Sequence, residues 1–349
     1  MNELSSKIIE LIENARFSIA KNTNSTIVVT YFTIGKMIVE GLQAGEKRAE
    51  YGKGLLTKVS IDLMNKFKRG YSVQNLERMR NFYSIYSNSS KHLRNSEIIK
   101  NSSNILRIFD INEELIHLLP ISWSHYLFLM KIENEYERQF YEIESYLNQW
   151  KLDDLIRQFN AGLFERLALS KNKDAIINLA KQGQKIENAQ DIYKEPLILE
   201  FLGLEENSSY SESDLETAII NQIEKFMLEL GKGFFFGGRQ VRFTFDEEHF
   251  WVDLVFYNRI LKCFVLIDLK IGKLTHQDLG QMQMYVNYYD RFVKDETENL
   301  SIGIVMCKHK NQSLVEITLP KDNTQLFAAK YQTILPSKDD LIKLIKRNY

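Results

Sequence analysis

The chain lacks the features that would place it in several large classes. Its 349 residues include two cysteines, Cys263 and Cys307, each inside an apolar strand-like run and neither in a CxxC pair. They read as reduced core residues, so neither a disulfide framework nor a thiolate metal site is expected. No apolar stretch approaches the roughly 18 residues of a membrane span. The opening MNELSSKIIELIENA is charged and amphipathic without a signal-peptide core, so a cytoplasmic protein with no membrane partner is expected. A glycine-rich dinucleotide loop, a P-loop and a serine-nucleophile motif are all missing, which argues against a small-molecule enzyme. Net charge is nearly absent as well: 45 Lys and Arg against 46 Asp and Glu leave −1, so any polyanion must be met by local patches.

The composition, 44% hydrophobic and 26% charged, supports a sizeable core and excludes a disordered chain. At roughly 100–200 residues per domain, two or three domains are expected. One basic patch stands out. From Glu46 to Lys100 there are twelve Lys and Arg against five Asp and Glu. Within it, Leu55, Val59 and Leu63 recur at helical spacing, Gly70 is a stop and Ser72 an N-cap for a second helix. Two helices joined by a glycine-containing turn near 52–86 resemble a helix-turn-helix. The second helix would present Gln74, Asn75, Arg78 and Arg80 to bases or phosphates; an ordinary α-hairpin with a solvated basic face fits the spacing equally well.

Helical periodicity continues through 122–132, 134–148 and 152–170, and the polar stretch 87–104 reads as a loop. The expected organisation is a helical domain over 1–182, a linker over 183–212, and an α/β domain over 213–349. Within the α/β domain a single helix (213–230) precedes three strands (about 234–246, 249–257 and 262–270), a helix (275–291), two more strands (301–307 and near 326–334) and a terminal helix from Lys338.

The chemistry is concentrated in FDEEHFWVDLVFYNRILKCFVLIDLK, Phe245 to Lys270. Asp253 and Asp268 each stand where a buried strand would carry valine or leucine, and alternation puts Asp268 and Lys270 on one face. An isolated buried carboxylate is costly and normally pairs or binds a metal. Two acids and an ammonium at adjacent strand ends therefore point to a divalent-cation site suited to phosphodiester hydrolysis.

A third acid is expected from SDLETAIINQIEKFMLELG, where Glu216 and Glu224 compete. On a helical wheel the apolar face lies about 40° from Glu216 and about 120° from Glu224, which favours Glu216 as ligand or orienting acid. In THQDLGQMQMYVNYYDRF, Gln281 and Tyr285 lie one turn apart and could hydrogen-bond a phosphate, a bound water or the lysine. In GKGFFFGGRQVRF a glycine pair permits a bulge, and Arg239 and Gln240 beside it could grip phosphate or partner an acid.

The ordered set Glu216, Asp253, Asp268-Leu269-Lys270 and Gln281-x-x-x-Tyr285 resembles the PD-(D/E)XK nuclease superfamily in its QxxxY version. VDLVFYNRILKCFVLIDLKIGKLTHQDLGQMQMYVNYYD and SIGIVMCKHKN, together with YGKGLLTKVSIDLMNKFKRGYSVQNLERMRNFY and ISWSHYLFLMKIENEYERQFY, are similar to the YhcG-like family of bacterial nucleases. The resemblance implies an α+β multidomain chain whose C-terminal region has a restriction-endonuclease-like fold with a mixed central sheet. It implies that Asp253, Asp268 and the Leu269 carbonyl bind Mg²⁺ or Mn²⁺, with Glu216 as the helix acid that binds or orients a ligand, and that Lys270 assists attack of water. Asp253 follows Val252 where the superfamily pattern has proline, which leaves the acid in place. The expected activity is metal-dependent nuclease action, on DNA before RNA, with the basic helical region binding nucleic acid or a partner. The alternative is a non-catalytic nucleic-acid-binding or scaffold subunit of a bacterial defence or mobile-element complex.

Overall fold

A computed structural model describes residues 24–41, 49–89, 119–169, 173–204 and 210–347. The amphipathic start, most of the polar stretch 87–104 and residues 205–209 lie outside the described residues. Two compact units divide at Leu152/Asp153.

In the first unit a helix at 24–41 (α1) is followed by α2 (Ala49–Phe67), α3 (Val73–Ser89), α4 (Trp123–Leu129) and α5 (Glu135–Leu147). Leu56, Leu76 and Met79 join Ile38 in a core against Trp123, and Phe82 packs edge-on to Trp123 and Phe32. Gly35 makes this packing possible, since a Cβ there would sit 2.1 Å from the Met79 carbonyl oxygen. The α2–α3 turn is the expected one. Gly70 takes φ +95°, which favours glycine, and Ser60 Oγ donates to the Tyr71 carbonyl at 2.9 Å. Residues 87–89, expected in the polar loop, instead complete α3.

The second unit begins with helices that the sequence places in the first domain. These are α6 (Leu152–Asn160), α7 (Leu163–Ala168) and α8 (Lys173–Gln182). The expected helix over 152–170 is broken at Gly162, whose φ is +63°. The 183–212 segment is not a plain linker either: it contributes α9 (Ala189–Ile192) and a short edge strand, β1 (Leu197–Ile198). Polar contacts explain why the second compact unit takes in both helices. Arg157 of α6 meets Glu200 at 2.9 Å, and Arg166 of α7 meets Glu229 at 2.6 Å, so both helices are tied into this unit by buried charges.

Next come α10 (Glu212–Asn221), α11 (Ile223–Leu230), β2 (Phe234–Phe245), β3 (Glu248–Asn258), β4 (Cys263–Lys273), α12 (His276–Tyr288), β5 (Ile302–His309), α13 (Gln312–Thr318), β6 (Leu326–Gln332) and α14 (Lys338–Arg347). The sheet order is β1-β6-β5-β4-β3-β2, antiparallel across β2–β3–β4 and parallel across β4–β5–β6–β1. This is the mixed sheet of an α+β fold. Helices cover both of its faces, as parallel strands require. Leu215, Ile219, Phe226 and Leu230 of α10 and α11 pack on Leu254, Phe256, Val265, Ile267 and Leu269. Leu279, Met282, Tyr285 and Val286 of α12 pack on Val252, Leu266, Val305 and Cys307 on the opposite face. Both cysteines are free and buried, as expected. Among the described residues no helix is long and apolar enough to cross a membrane.

Candidate active site

The site forms where β3 and β4 part. Their ladder runs from Asn258–Cys263 to Leu254–Ile267 and stops. In that register the next facing pair would be Asp253 and Asp268. Instead of a strand partner, the Leu269 N–H finds Asp253 Oδ2 at 2.7 Å. One carboxylate thus satisfies backbone that the opened ladder would leave bare.

The β2–β3 hairpin changes phase at the same level. Leu254 and Phe256 face α10 and α11, whereas Phe250 and Val252 face α12. A regular strand would keep positions 252 and 254 on one face. The glycine pair takes part as expected: the register shifts between Phe236 and Gly238, and a Cβ on Gly237 would lie 3.2 Å from the Val255 carbonyl oxygen. Pairs Arg239–Leu254 and Val241–Val252 then place Gln240 across from Asp253. Gln240 has φ +46°, a left-handed conformation inside a strand that costs a non-glycine residue on the order of 1 kcal/mol. Its Nε2 donates to Asp253 Oδ1 at 3.0 Å and also to Glu216 Oε2.

Glu216 is buried on α10 and has Arg239 Nε 2.9 Å from its Oε1. The structure therefore brings Glu216, Arg239, Gln240 and Asp253 together and leaves Glu224 exposed on α11. The single helix expected over 213–230 is two helices broken at Gln222, so a continuous wheel loses phase beyond that point.

Asp268 is 3% exposed. Burial, and next the charge of Asp253, push its carboxyl up to about 7 against the opposing pull of Lys270. Lys270 Nζ lies 2.8 Å from Asp268 Oδ2 and 3.6 Å from Glu212 Oε2. Burial alone would lower the lysine, but Asp268, Glu212 and Asp253 outweigh it and hold Lys270 above its ordinary value. Lys270 is therefore an ammonium, not a base, near neutral pH. Despite this ion contact, the buried Asp268 Oδ2 has no aligned hydrogen-bond donor.

Two facing carboxylates, one with an orphaned oxygen, fit a hard divalent cation, because such ions take oxygen ligands and relieve the repulsion between acids. Asp253 and Asp268 are the residues that could hold it. Among the described residues no three His, Cys, Asp or Glu side chains converge as a ready-made metal cluster. Glu216 accepts from Gln240 at Oε2 and has Arg239 beside Oε1, but that buried Oε1, like Asp268 Oδ2, has no aligned hydrogen-bond donor.

On α12, Gln281 Nε2 donates to the Tyr285 hydroxyl. Tyr285 is buried, and burial followed by the charge of Asp268 raises its hydroxyl pKa. In the first unit, Gln74 and Arg78 are exposed on α3, while Asn75 and Arg80 are half-buried. Asn75 serves the turn: its Nδ2 donates to the Gly70 carbonyl at 3.2 Å and its Oδ1 accepts from Arg78 at 3.0 Å. Sequence reasoning missed Glu212, although it lies one helical turn before Glu216 on the same face.

Residues 190–346 match the family model of the YhcG PDDEXK nuclease domain, and residues 7–166 that of the DUF1016 N-terminal domain. A protein of Escherichia coli (strain K12) named "Putative nuclease YhcG" is 36% identical over 347 residues, taking in 96% of this chain and 92% of the relative. Two solved structures match part of the chain. A repair endonuclease from Pyrococcus abyssi shows 16% identity and a TM-score of 0.25 over 37% of this chain. The structure of an EndoMS-dsDNA2 complex shows 15% identity and a TM-score of 0.26 over 38% of this chain. The matched region spans 50% of the length of each.

Proposed function

The chain belongs to the YhcG family of PDDEXK nucleases, and on that premise we propose that it hydrolyses phosphodiester bonds in DNA with the help of a divalent cation. The observation that carries this reading is the pairing of Asp253 with Asp268 at the parted strands, beside an ammonium and short of positive charge. Asp253, Asp268 and the Leu269 carbonyl would hold Mg²⁺ or Mn²⁺. When bound, the cation supplies Lewis acidity toward water and phosphate oxygen.

The remaining roles fall to the chain's own side chains. Lys270, kept protonated by three acids, offers positive charge to the phosphate as negative charge builds on it. Gln281, exposed and hydrogen-bonded to the buried Tyr285 hydroxyl, is the member of that pair proposed to reach the phosphate. Arg239 is 45% exposed at its side chain while anchored to Glu216, so its outer edge is open to the phosphate backbone. The strongly basic segment from Glu46 to Lys100 and the exposed Gln74 and Arg78 on one face of α3 support a nucleic-acid substrate, for which DNA is proposed before RNA.

A second reading, a non-catalytic nucleic-acid-binding subunit, is favoured by one observation, the lack of a three-ligand cluster among the described residues. Cleavage of linear duplex, single-stranded, branched and RNA substrates with Mg²⁺, Mn²⁺ or EDTA separates the two. Metal-dependent cutting that disappears in Asp268→Ala is expected; binding without cutting by the wild type would favour the second reading.

A further inference from the structure

Gln240 pays a backbone penalty in the middle of a strand, at the one level where the hairpin changes phase, and its side chain lies between two acids. The contacts fix its orientation. Only the amide nitrogen can face two carboxylate oxygens, since the amide oxygen would be repelled by both. Both of its hydrogens are then used, one on Asp253 Oδ1 and one on Glu216 Oε2. Asp253 is left clamped at both oxygens, with Gln240 on one and the Leu269 N–H on the other. Glu216, in turn, has its charge matched by Arg239. Glu216 Oε1, like Asp268 Oδ2, lacks an aligned donor, so what separates the two acids is neighbouring charge: Asp268 faces Asp253 in register and its lysine is shared with Glu212, whereas Glu216 has the Arg239 guanidinium.

We propose that Gln240 is a positioning residue for cation binding: it orients Asp253 toward Asp268 and, with Arg239, holds Glu216 as an anchor outside the ligand set. This rests on the metal-dependent reading above and deepens it, assigning Glu216 and Gln240 roles other than ligand and phosphate grip. The left-handed backbone is the means. A right-handed or extended φ at position 240 would carry the amide away from the acids.

The test is a titration of the full chain with Mn²⁺, the free ion being read from its electron paramagnetic resonance signal, alongside thermal unfolding of each variant. Gln240→Gly keeps the backbone geometry and removes the amide. It is expected to melt near the wild-type temperature and to bind Mn²⁺ about 10- to 100-fold more weakly, the usual loss when a group that orients a ligand is removed. Glu216→Gln keeps the acceptor for Gln240 while removing the charge, and is expected to bind the same number of ions with affinity close to wild type. Asp268→Asn is expected to abolish tight binding. If Gln240→Gly binds as tightly as wild type, or if Glu216→Gln abolishes binding as completely as Asp268→Asn, the positioning role is overturned and the cation site stands. Failure of the wild type itself to bind Mn²⁺ would overturn the metal-dependent reading together with it.

Discussion

Two buried groups of acids in the same unit show how differently a fold can treat negative charge. Glu229 on α11 has a fully buried side chain, yet it lacks nothing. Arg166 meets it at 2.6 Å, Arg157 at 3.3 Å, and the Ile198 N–H donates at 3.0 Å, while Lys194 donates to its carbonyl oxygen at 2.6 Å. Burial would raise its carboxyl, but the three cations overcome that and hold it below the ordinary value. Asp268 is nearly as buried, but its neighbours are another carboxylate and one lysine that Glu212 also draws, and its carboxyl rises to about 7. Where the protein supplies the cations, the acid ties α6 and α7 to β1. Where it supplies one shared lysine, the carboxyl of Asp268 stays above its ordinary value.

The contrast should break most visibly in cleavage. Asp253→Asn or Asp268→Asn should lower nuclease activity by about 100-fold or more, since loss of a ligand exceeds loss of a group that merely orients one. Glu229→Gln should leave the chemistry in place and cost about 3–5 kcal/mol of stability in a denaturant titration, because two buried arginines would lose their counter-ion. In the same titration at pH 8 without divalent cation, Asp268→Asn should be neutral or stabilising by about 1 kcal/mol, as it removes a charge held against burial and Asp253. Equal destabilisation by both substitutions would erase the distinction.

The pH dependence should carry opposite signs. A carboxyl raised in the folded state binds its proton more tightly there, so the contribution of Asp268 is full below the ordinary carboxylate value and is lost as pH rises toward about 7. Glu229, lowered on folding, contributes at neutral pH and loses that contribution as pH falls through its depressed value. Saturating Mg²⁺ should flatten the first slope and leave the second unchanged. Glu142 in the first unit is likewise pushed up to about 7 by burial, so the comparison should be made in a Glu142→Gln background. The half-exposed ion pair is a further check: Arg239→Ala should cost about 1–3 kcal/mol, because it leaves the buried Glu216 carboxylate without its cation.

Much of this was legible in the sequence because charge inside an apolar run is a local signal. Asp253 and Asp268 could be found by eye, and the strands carrying them fall within a few residues of where alternation and turn residues place them. Glu216 was separable from Glu224 because the break at Gln222 comes after it, and the wheel holds up to that point. What could not be read depends on distant partners. The edge strand Leu197–Ile198 exists because β6 pairs with it, and the inclusion of α6 and α7 in the second unit depends on Arg157 and Arg166 reaching Glu229 across more than sixty positions. Gln240 is the sharpest case. Nothing in RQVRF announces a left-handed residue, because the conformation arises from a change of pleat shared by two strands.

The most direct test of the central claim, that the Asp253–Asp268 pair is short of positive charge and takes it from outside, is thermal unfolding of the full chain at pH 8 as Mn²⁺ is added. The melting temperature of the wild type should rise with cation concentration, and that of an Asp253→Asn/Asp268→Asn double variant should not. An unchanged wild-type melting temperature, or an equal rise in the double variant, would contradict the account.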